Sequence, residues 1–420
     1  MPDEISMNTA VLFNQLEETE NVTPEAWASA QAVRVKDFSA QPVTGNRITR
    51  EFIRPFFGAR PSRLVGRHGV MQFTAEAHGA GETALDAGTA PVFGRLLRQA
   101  GLAEVIRAPA ATIAASPPTG VDTPDGSFTY VAADPHEGIV DRLVTLTCTT
   151  GGGSATAEFT VAAPAMAHVA AYNQTGVIMT DATALALPGG ATITPTVAGP
   201  FTIGDAFTIQ LRAPGSFYSP VSTGFESGSW YYQYGPNRHL HTGGRGNVQF
   251  NIGVDGYFDM AFNFMAKIGA RSSEAIPTVD FSAFRDPDPI GDDYTPFVSL
   301  GGIEIDFKSI GPNVGQNLIW RHLVGRQGAK ITDRGTSGQL VFAALDLNDV
   351  DYFDNLEDGT VLDFRLIHGL TRGEIVDYAM PRLELSDIQY QDDEGEAMFS
   401  CNWNALPSDA GNDEFLLGIK

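Results

Sequence analysis

The chain has 420 residues, among them 45 glycines and 25 prolines, and its formal net charge at pH 7 is −23. So acidic a balance excludes a protein that grips nucleic acid over its whole surface, because phosphate would be repelled. The length favours two or three domains, and the many turn-forming residues favour an all-β chain with short helices.

Two features of the sequence bear on the compartment. Met1–Asn8 lacks the apolar core of a signal peptide, and no apolar run is long enough to span a bilayer. Cys148 and Cys401 lie far apart, and each occupies an apolar position in the alternating pattern of a predicted strand. We therefore expect a soluble chain made in a cytoplasm, with two small core cysteines and no disulfide framework.

The first hundred residues predict short elements around one clear helix. Thr9–Glu18 and Pro24–Ala30 are interpreted as short helices. Pro91–Gly101 is the clearest helix, since Pro91 lies in its first turn and Gly101 follows its last. The predicted strands in this region are Ala32–Phe38, Ile48–Phe57 and Arg63–Ala75.

Between Ala108 and Pro214 the composition shifts to Ala, Thr, Gly and Pro. Regular turn signals between short strands predict a small immunoglobulin-like β-sandwich, with Gly151–Ser154 as a hairpin loop. Residues 108–216 are thus predicted to be an inserted domain whose two ends lie close together. Its predicted strands are Ser127–Val131, Leu143–Cys148, Thr156–Ala162, Thr192–Val197 and Ala206–Leu211. Its predicted core is Val144, Leu146, Phe159, Val161, Ile209 and Leu211.

The stretch Ser229–Ala266 is predicted to be an antiparallel meander. Apolar and polar residues alternate strictly from Asn247 to Ile252 and from Phe258 to Phe264, which indicates one buried and one polar face. Turns are predicted at Gly235–Asn237, at Gly243-Gly244 and at Asp255-Gly256.

A second β block, Phe297–Ala405, follows the same order of elements as the first half. Arg334–Ala344 corresponds to the strand Arg67–Ala77, and a helix at Asp346–Asp358 corresponds to the first helix. The second meander is predicted at Val361–Ile367, Glu374–Met380, Leu383–Tyr390 and Ala397–Trp403. These patterns predict a first domain from residues 1–107 and 217–271, a linker at 272–296 and a second domain at 297–420.

Short segments along most of the chain carry a family resemblance. In the first half they are Ile53–Gly58, Val65-Gly66, Phe73–Glu76 and Gly88–Glu104. Beyond the insertion they are Tyr218–Phe225, His239–Gly246, Pro277–Phe284, Gln327–Gly338 and Gly411–Leu416. Together, in this order, they resemble the major tail tube proteins of long-tailed, siphovirus-type bacteriophages. The insertion looks like a β module that recurs in phage structural proteins.

The resemblance implies two tandem tail-tube β-sandwich or barrel domains and a structural virion protein that is not an enzyme. It implies rings of three chains with six similar domains, or of six chains, stacked into a hollow tube in the tail. Such a tube is assembled in the bacterial cytoplasm with a tape measure protein and a tail terminator. Genomic DNA passes through it without specific binding. For the inserted domain we expect an outward position and weak contact with the host surface.

Other functions remain open at this stage. A surface adhesin or carbohydrate-binding β-sandwich would need aromatic residues exposed on one face, whereas these alternate inward. A tail terminator or a capsid decoration protein is a further alternative. If the chain forms a tube, the polar faces of the two meanders are the predicted lining of its bore. The candidates are Gln249, Asn251, Asp259, Asn263, Glu384 and Ser386.

No motif predicts a catalytic site, a cofactor or a metal. His239 and His241 could face one side of a strand, but no carboxylate or thiol accompanies them, and we expect an exposed hairpin. Gly151–Ser154 is followed by no helix or lysine that would bind phosphate. Four aspartates lack the spacing of a calcium loop and are expected in a solvated linker: Asp286, Asp288, Asp292 and Asp293.

Overall fold

A computed structural model describes residues 10–24, 26–108, 110–116, 126–133, 136, 138, 140–165 and 169–420. The described chain is all-β with three short α-helices, which confirms the predicted fold class. The elements before the insertion are β1 (Ala10–Leu16), a 3-10 helix (Ser29–Gln31), β2 (Lys36–Thr49), β3 (Ser62–Glu76), α1 (Glu82–Asp86), α2 (Gly94–Gln99) and β4 (Leu102–Arg107).

Eight strands form the insertion and four more complete the first half. Those of the insertion are β5 (Ala110–Ser116), β6 (Gly126–Tyr130), β7 (Arg142–Thr150), β8 (Glu158–Ala163), β9 (Tyr172–Ile178), β10 (Leu185–Ala186), β11 (Thr192–Val197) and β12 (Ala206–Arg212). Those that follow are β13 (Gly215–Pro220), β14 (Gly228–Tyr234), β15 (Asn237–Gly253) and β16 (Asp259–Ser273).

The second half contains ten strands and one helix. They are β17 (Phe297–Leu300), β18 (Ile303–Glu304), β19 (Phe307–Ile310), β20 (Gln316–Leu323), β21 (Arg326–Arg334), β22 (Ser337–Ala343), α3 (Tyr352–Glu357), β23 (Val361–His368), β24 (Val376–Asp393), β25 (Glu396–Ala405) and β26 (Leu416–Ile419).

One antiparallel sheet runs through both halves of the chain. Its main path is β18-β17-β23-β24-β25-β22-β19-β15-β16-β3-β2. The halves join where Ile252 of β15 lies opposite Ile310 of β19, and where β13 pairs with β26. Within the halves the same order of pairing occurs twice, as β3–β16–β15–β14 and as β22–β25–β24–β23.

The buried core is also shared between the halves. The Phe250 ring lies 5.5 Å from Tyr378 and 6.1 Å from Phe415, which come from the second half. In the segment predicted as a linker, Ile290 is buried in this core and exchanges backbone hydrogen bonds with the Asp255-Gly256 turn. The segment therefore packs against the sheet along part of its length.

The insertion has two sheets, β5-β12-β7-β8-β9 and β10-β11-β6, around a core of its own. All six residues predicted for this core are completely buried. Gly151–Ser154 joins β7 to β8, as predicted for a hairpin. Val140 and Val169 of the insertion pack on Ile367 and Ile375 of the second half, which seats the domain against the body.

Three predictions for segments before β3 are wrong. Within Thr9–Glu18, of which Thr9 lies outside the described residues, the chain forms β1 and not a helix. This strand is buried on both faces, from Leu12 to Gln15, so its sequence lacks the alternation that marks a half-buried strand. In Pro24–Ala30, of which residue 25 lies outside the described residues, the described part contributes only Ser29 and Ala30 to the 3-10 helix. Beyond Thr49 the stretch Ile48–Phe57 forms no strand.

Gly243-Gly244 does not make a turn but lies inside β15, at a shift in register. A Cβ at Gly244 would lie 2.7 Å from Nε1 of the buried Trp230. This glycine is therefore needed to make room for an indole ring. The Asp255-Gly256 turn is confirmed, with Asp255 at φ 62° between β15 and β16.

Predictions that rest on longer sequence patterns agree better with the structure. α2 lies inside Pro91–Gly101, and Gly101 has the positive φ of 81° expected after a helix. The two strands predicted between Glu374 and Tyr390 form one long strand, β24. Cys148 and Cys401 are both buried and free.

Candidate functional site

The candidate functional site is the polar face of the sheet, which we define as the outward side chains of β3, β16, β15, β22, β25 and β24. On β16 and β25 these residues alternate with buried ones such as Phe262, Phe264, Cys401 and Trp403. Strictly alternating strands thus present one apolar side to the core and one polar side to the outside.

The polar face is continuous between the two halves. One row of directly opposed residues crosses it, each pair aligned by strand pairing or by a single β-bridge. In order across the sheet, the row is Thr74, Ala261, Gln249, Asn313, Ser337, Asn404 and Glu384. Directly opposed residues of an antiparallel pair lie on the same side of a sheet, so Gln249 and Glu384 share one surface.

The six sequence-predicted residues all lie on this sheet. Gln249, Asn251 and Ser386 are exposed, whereas the other three are half-buried. Asn251 lies opposite Asp259 and Asn263 lies opposite Asn247. Ser386 has no opposite residue, because it occupies a register shift between Leu385 and Asp387.

Neutral amides and hydroxyls bond to one another at two places on the polar face. Asn247 donates from Nδ2 to Oδ1 of Asn313 over 2.8 Å, which ties β15 to the loop before β20. Gln339 donates from Nε2 to Oγ of Ser400 over 2.9 Å in the second half. These bonds hold polar side chains down on the sheet without placing a charge there.

A lysine partly neutralises the charge of the carboxylates at the β2 edge of the sheet. Nζ of Lys36 lies 2.7 Å from Oδ1 of Asp259 and 3.2 Å from Oε1 of Glu76. Burial by itself would lower the pKa of Lys36, but its hydrogen bonds to Asp259 and Glu76 outweigh burial and raise it. The ammonium therefore stays charged and offsets part of the negative charge at this edge.

Sequence reasoning missed part of this face. Asn402 and Asn404 alternate with the buried Cys401 and Trp403, so the pattern that identified Gln249 could have identified them too. Asn313 lies outside the regular strands and joins the row through isolated bridges to Gln249 and Ser337. No local pattern in the sequence marks it.

The two histidines of β15 are structural. His241 is buried and not on an exposed hairpin as expected, and both imidazoles stack on Tyr232 at 5.1 and 5.5 Å. Burial lowers the pKa of His241 to about 4 and also lowers the pKa of His239. Two neutral rings packed on a tyrosine serve the core of the first half.

Within the described ranges, no group of three or more His, Cys, Asp or Glu side chains is arranged to hold a metal ion. The four aspartates considered for calcium are distributed along the segment before β17, where Asp286 pairs with Arg34 at 2.7 Å. Across all the residues that the structure describes, no helix has the length and apolar character needed to cross a membrane.

Comparison with protein-family models finds no match, and comparison with curated protein sequences finds none either. The polar face itself thus remains the guide to function.

Proposed function

We propose that this protein is the major subunit of a bacteriophage tail tube, a structural virion protein whose copies form stacked rings around a bore. The observation that carries the proposal is the pairing order repeated within one sheet. Two similar units in one chain let three chains supply six units to a ring, with one kind of junction inside the chain and a similar one between chains.

The junction inside the chain indicates what the junction between chains would be. Within the chain, the end of β15 pairs with β19, and β19 pairs with β22. The corresponding strands of the repeat are β24 for β15, β2 for β19 and β3 for β22. A ring would therefore place β2 of one copy against the end of β24 in the next.

The free edge of β2 supports this arrangement. β2 spans Lys36–Thr49 and, among the described residues, pairs with β3 alone. A strand of this length with an open row of N–H and C=O groups invites pairing with another chain. Closing the sheet around a ring would cover that edge.

The chemistry of the polar face suits a surface along which DNA slides. Apart from Ala261, its row consists of amides, hydroxyls and Glu384, so it offers phosphate hydrogen bonds but no positive charge. A bore lined with arginine or lysine would hold DNA by releasing counterions at every ring. On this basis Gln249, Asn251, Asp259, Asn263, Glu384 and Ser386 line the bore.

The remaining parts of the proposal are what a tube of stacked rings implies. The inserted domain stands on the outside, where its contact with host-surface material is weak. A tape measure protein occupies the bore before DNA does, and a terminator ends the stack. The assembly takes place in the bacterial cytoplasm, and no step of this function requires catalysis or a cofactor.

Negative-stain electron microscopy of the purified chain tests the proposal, together with the mass of the smallest ring. Rings or tubes with an open centre are expected, and three chains per ring. A protein that stays monomeric at all concentrations and binds glycans would contradict the proposal and favour an adhesin. Rings of six chains with one domain each at the bore would contradict the trimer.

A further inference from the structure

The strand directions define two opposite ends of the sheet. β2 and β3 are joined by residues 50–61 at one end, which we call the hairpin end. β3 and β16 run antiparallel, with Glu76 opposite Asp259, so the Asp255-Gly256 turn lies at the other end. We call this the turn end.

The second half shares the same two ends. Gly253 of β15 lies opposite Ser309 of β19, which in turn lies opposite Val341 of β22. At the end of β22, Ala343 lies opposite Met398 of β25. The β24–β25 turn, which comes just before Met398, therefore also lies at the turn end.

The hairpin end is strongly basic. Residues 47–67 include six arginines and a single carboxylate, Glu51, in a chain of net charge −23. Arg47, Arg50, Arg60, Arg63 and Arg67 are exposed. Within the described part of the chain, none of these five makes an ion pair with a carboxylate. Beside them, a groove of about 950 Å³ is lined by Arg63, Arg67, Lys267 and Arg271.

The tip of this hairpin is also apolar. Phe52 and Phe56 are largely exposed, and Ile53 and Phe57 are fully exposed. Four large apolar side chains close together on one loop are unusual on a surface that meets only water. Their position between arginines indicates an interface with both apolar and charged contacts.

The turn end carries charge opposite to that of the hairpin end, and it also has exposed apolar side chains. Exposed carboxylates surround it in loops from both halves: Asp255, Asp306, Asp346, Asp349, Asp392, Glu394 and Glu396. Exposed apolar side chains lie among them: Val254, Tyr257, Leu347 and Tyr390. Lys308 of β19, a cation beside the β24–β25 turn, is already paired with Asp393.

We infer that the hairpin end of one copy docks on the turn end of a second copy, head to tail. Arginines of the hairpin then face the carboxylates of the turns, and Phe52, Ile53, Phe56 and Phe57 leave water against the exposed apolar side chains. Because the two contact surfaces differ, each docking leaves a new free end, and the contact repeats along one axis. This inference rests on the proposed tube for its role, where it joins successive rings.

A second copy fits this surface better than nucleic acid does. The exposed phenylalanines and Ile53 match apolar side chains at the turn end, whereas a phosphate backbone would leave them in water. The complementary carboxylates are present on the same chain at the same concentration. Attraction between the ends weakens with salt, since exposed charges are screened within about 10 Å at 0.1 M ionic strength.

Two variants of the full chain test the docking. The first carries Arg50→Glu, Arg60→Glu and Arg63→Glu at the hairpin end, and the second carries Asp349→Lys, Glu394→Lys and Glu396→Lys at the turn end. Arg212→Glu, an exposed reversal in the inserted domain, is the control. Association is measured by sedimentation and by electron microscopy, after circular dichroism shows that each variant is folded.

Each variant alone has like charges at both ends, so we expect its stacking to be weakened at least about tenfold. Mixed together, the two variants have complementary ends, and we expect them to associate in alternation. The control is expected to stack like the wild type. Folded variants that stack normally, or a mixture that stays dissociated, would overturn the docking. Loss of DNA binding from the hairpin variant with stacking unchanged would assign the arginines to nucleic acid.

The outcomes for the docking and for the tube are separable. If each variant still forms single rings that do not stack, the docking and the ring are both supported. If the wild type forms no ring but the mixed variants associate with each other, the docking holds and the tube fails. If wild type and variants alike form long tubes, the tube holds and the docking fails.

Discussion

Gly215 lies directly opposite Arg107 in the antiparallel pair of β13 and β4. The inserted domain therefore leaves the body and returns to it through two adjacent strands. The insertion touches the body through Asp141, which accepts from Arg107 at 3.5 Å, and through a small apolar cluster around Ile367. Removing it should leave the shared sheet intact.

We predict that replacing residues 109–214 with a short Gly/Ser linker gives a folded chain that still assembles. The linker needs to span only the gap between paired strands, and Gly215 is kept because a Cβ there would lie 2.7 Å from the Ile419 carbonyl oxygen. Electron microscopy should show tubes of normal bore and smaller outer diameter. A shortened chain that folds but forms no ring would place the insertion in the ring contact.

Positive charge on the polar face should retain DNA. Gln249→Arg with Asn404→Arg would add two arginines per chain to one row, and DNA affinity rises steeply with each phosphate neutralised. Tubes assembled with short double-stranded DNA are treated with nuclease, and protected DNA is measured. We expect protection in the variant and none in the wild type.

The matched control for that experiment is Gln174→Arg, an exposed change on β9 of the inserted domain. DNA held there would remain open to nuclease. Equal protection in all three proteins, or protection only in the control, would contradict the assignment of the polar face to the bore.

The edge strand β2 should become protected on assembly. Its outer backbone groups have no partner strand among the described residues of one chain, and in a ring they would bond to β24 of the next. Hydrogen exchange of residues 36–49 should slow by at least about tenfold between monomer and ring. The edge strand β9 of the insertion serves as the control and should not change; protection of β9 in place of β2 would contradict the proposed junction.

Stability should fall with pH between 6.5 and 4 because of His241. Burial lowers its pKa to about 4 in the folded chain, against an ordinary value of 6.5. In that window the unfolded chain takes up a proton and the folded chain does not, so stability is full above pH 6.5 and is lost as the pH falls. At about 1.4 kcal/mol for each pKa unit of difference, the loss is about 3 kcal/mol.

Urea unfolding of His241→Gln at several pH values tests this contribution. The variant should show a shallower dependence on pH than the wild type, whatever its absolute stability. His322→Gln, a change at an exposed ring, should keep the wild-type dependence. An unchanged slope in His241→Gln would mean that other groups govern the acid sensitivity.

The buried carboxylate Asp377 should be the most sensitive charge in the second half. It lies 2.7 Å from Nη2 of Arg365 and 2.6 Å from Nζ of Lys420. Burial would raise the pKa of Asp377, but Lys420 and Arg365 outweigh it and lower the pKa. Asp377→Asn leaves two cations facing an amide and should cost about 3–5 kcal/mol of unfolding free energy.

Asp286→Asn is the matched control for Asp377→Asn. Its carboxylate also pairs with an arginine, Arg34 at 2.7 Å, but it is almost fully exposed. A solvent-exposed ion pair contributes about 0–1 kcal/mol to the free energy of unfolding, so urea unfolding should detect little change. Equal costs for the two substitutions would contradict the role given to burial.

The sequence alone determined the elements in which one face is buried. The alternation from Phe258 to Phe264 and from Phe399 to Trp403 identified β16 and β25 and their outward residues, because a half-buried strand must repeat every two residues. It also identified the six core residues of the insertion, since those strands depend on contacts within the insertion.

Where a segment is enclosed by distant parts of the chain, local sequence patterns did not predict its structure. The sequence of β1 does not alternate between apolar and polar residues, because both faces of the strand are buried. Position 244 requires a glycine because the ring of Trp230 leaves no room for a Cβ. Alternation determines the face of each residue but not the strand that lies beside it. That choice depends on the packing of β15 against β19, which aligned Gln249 with Glu384 and gathered the arginines and carboxylates at opposite ends of the sheet.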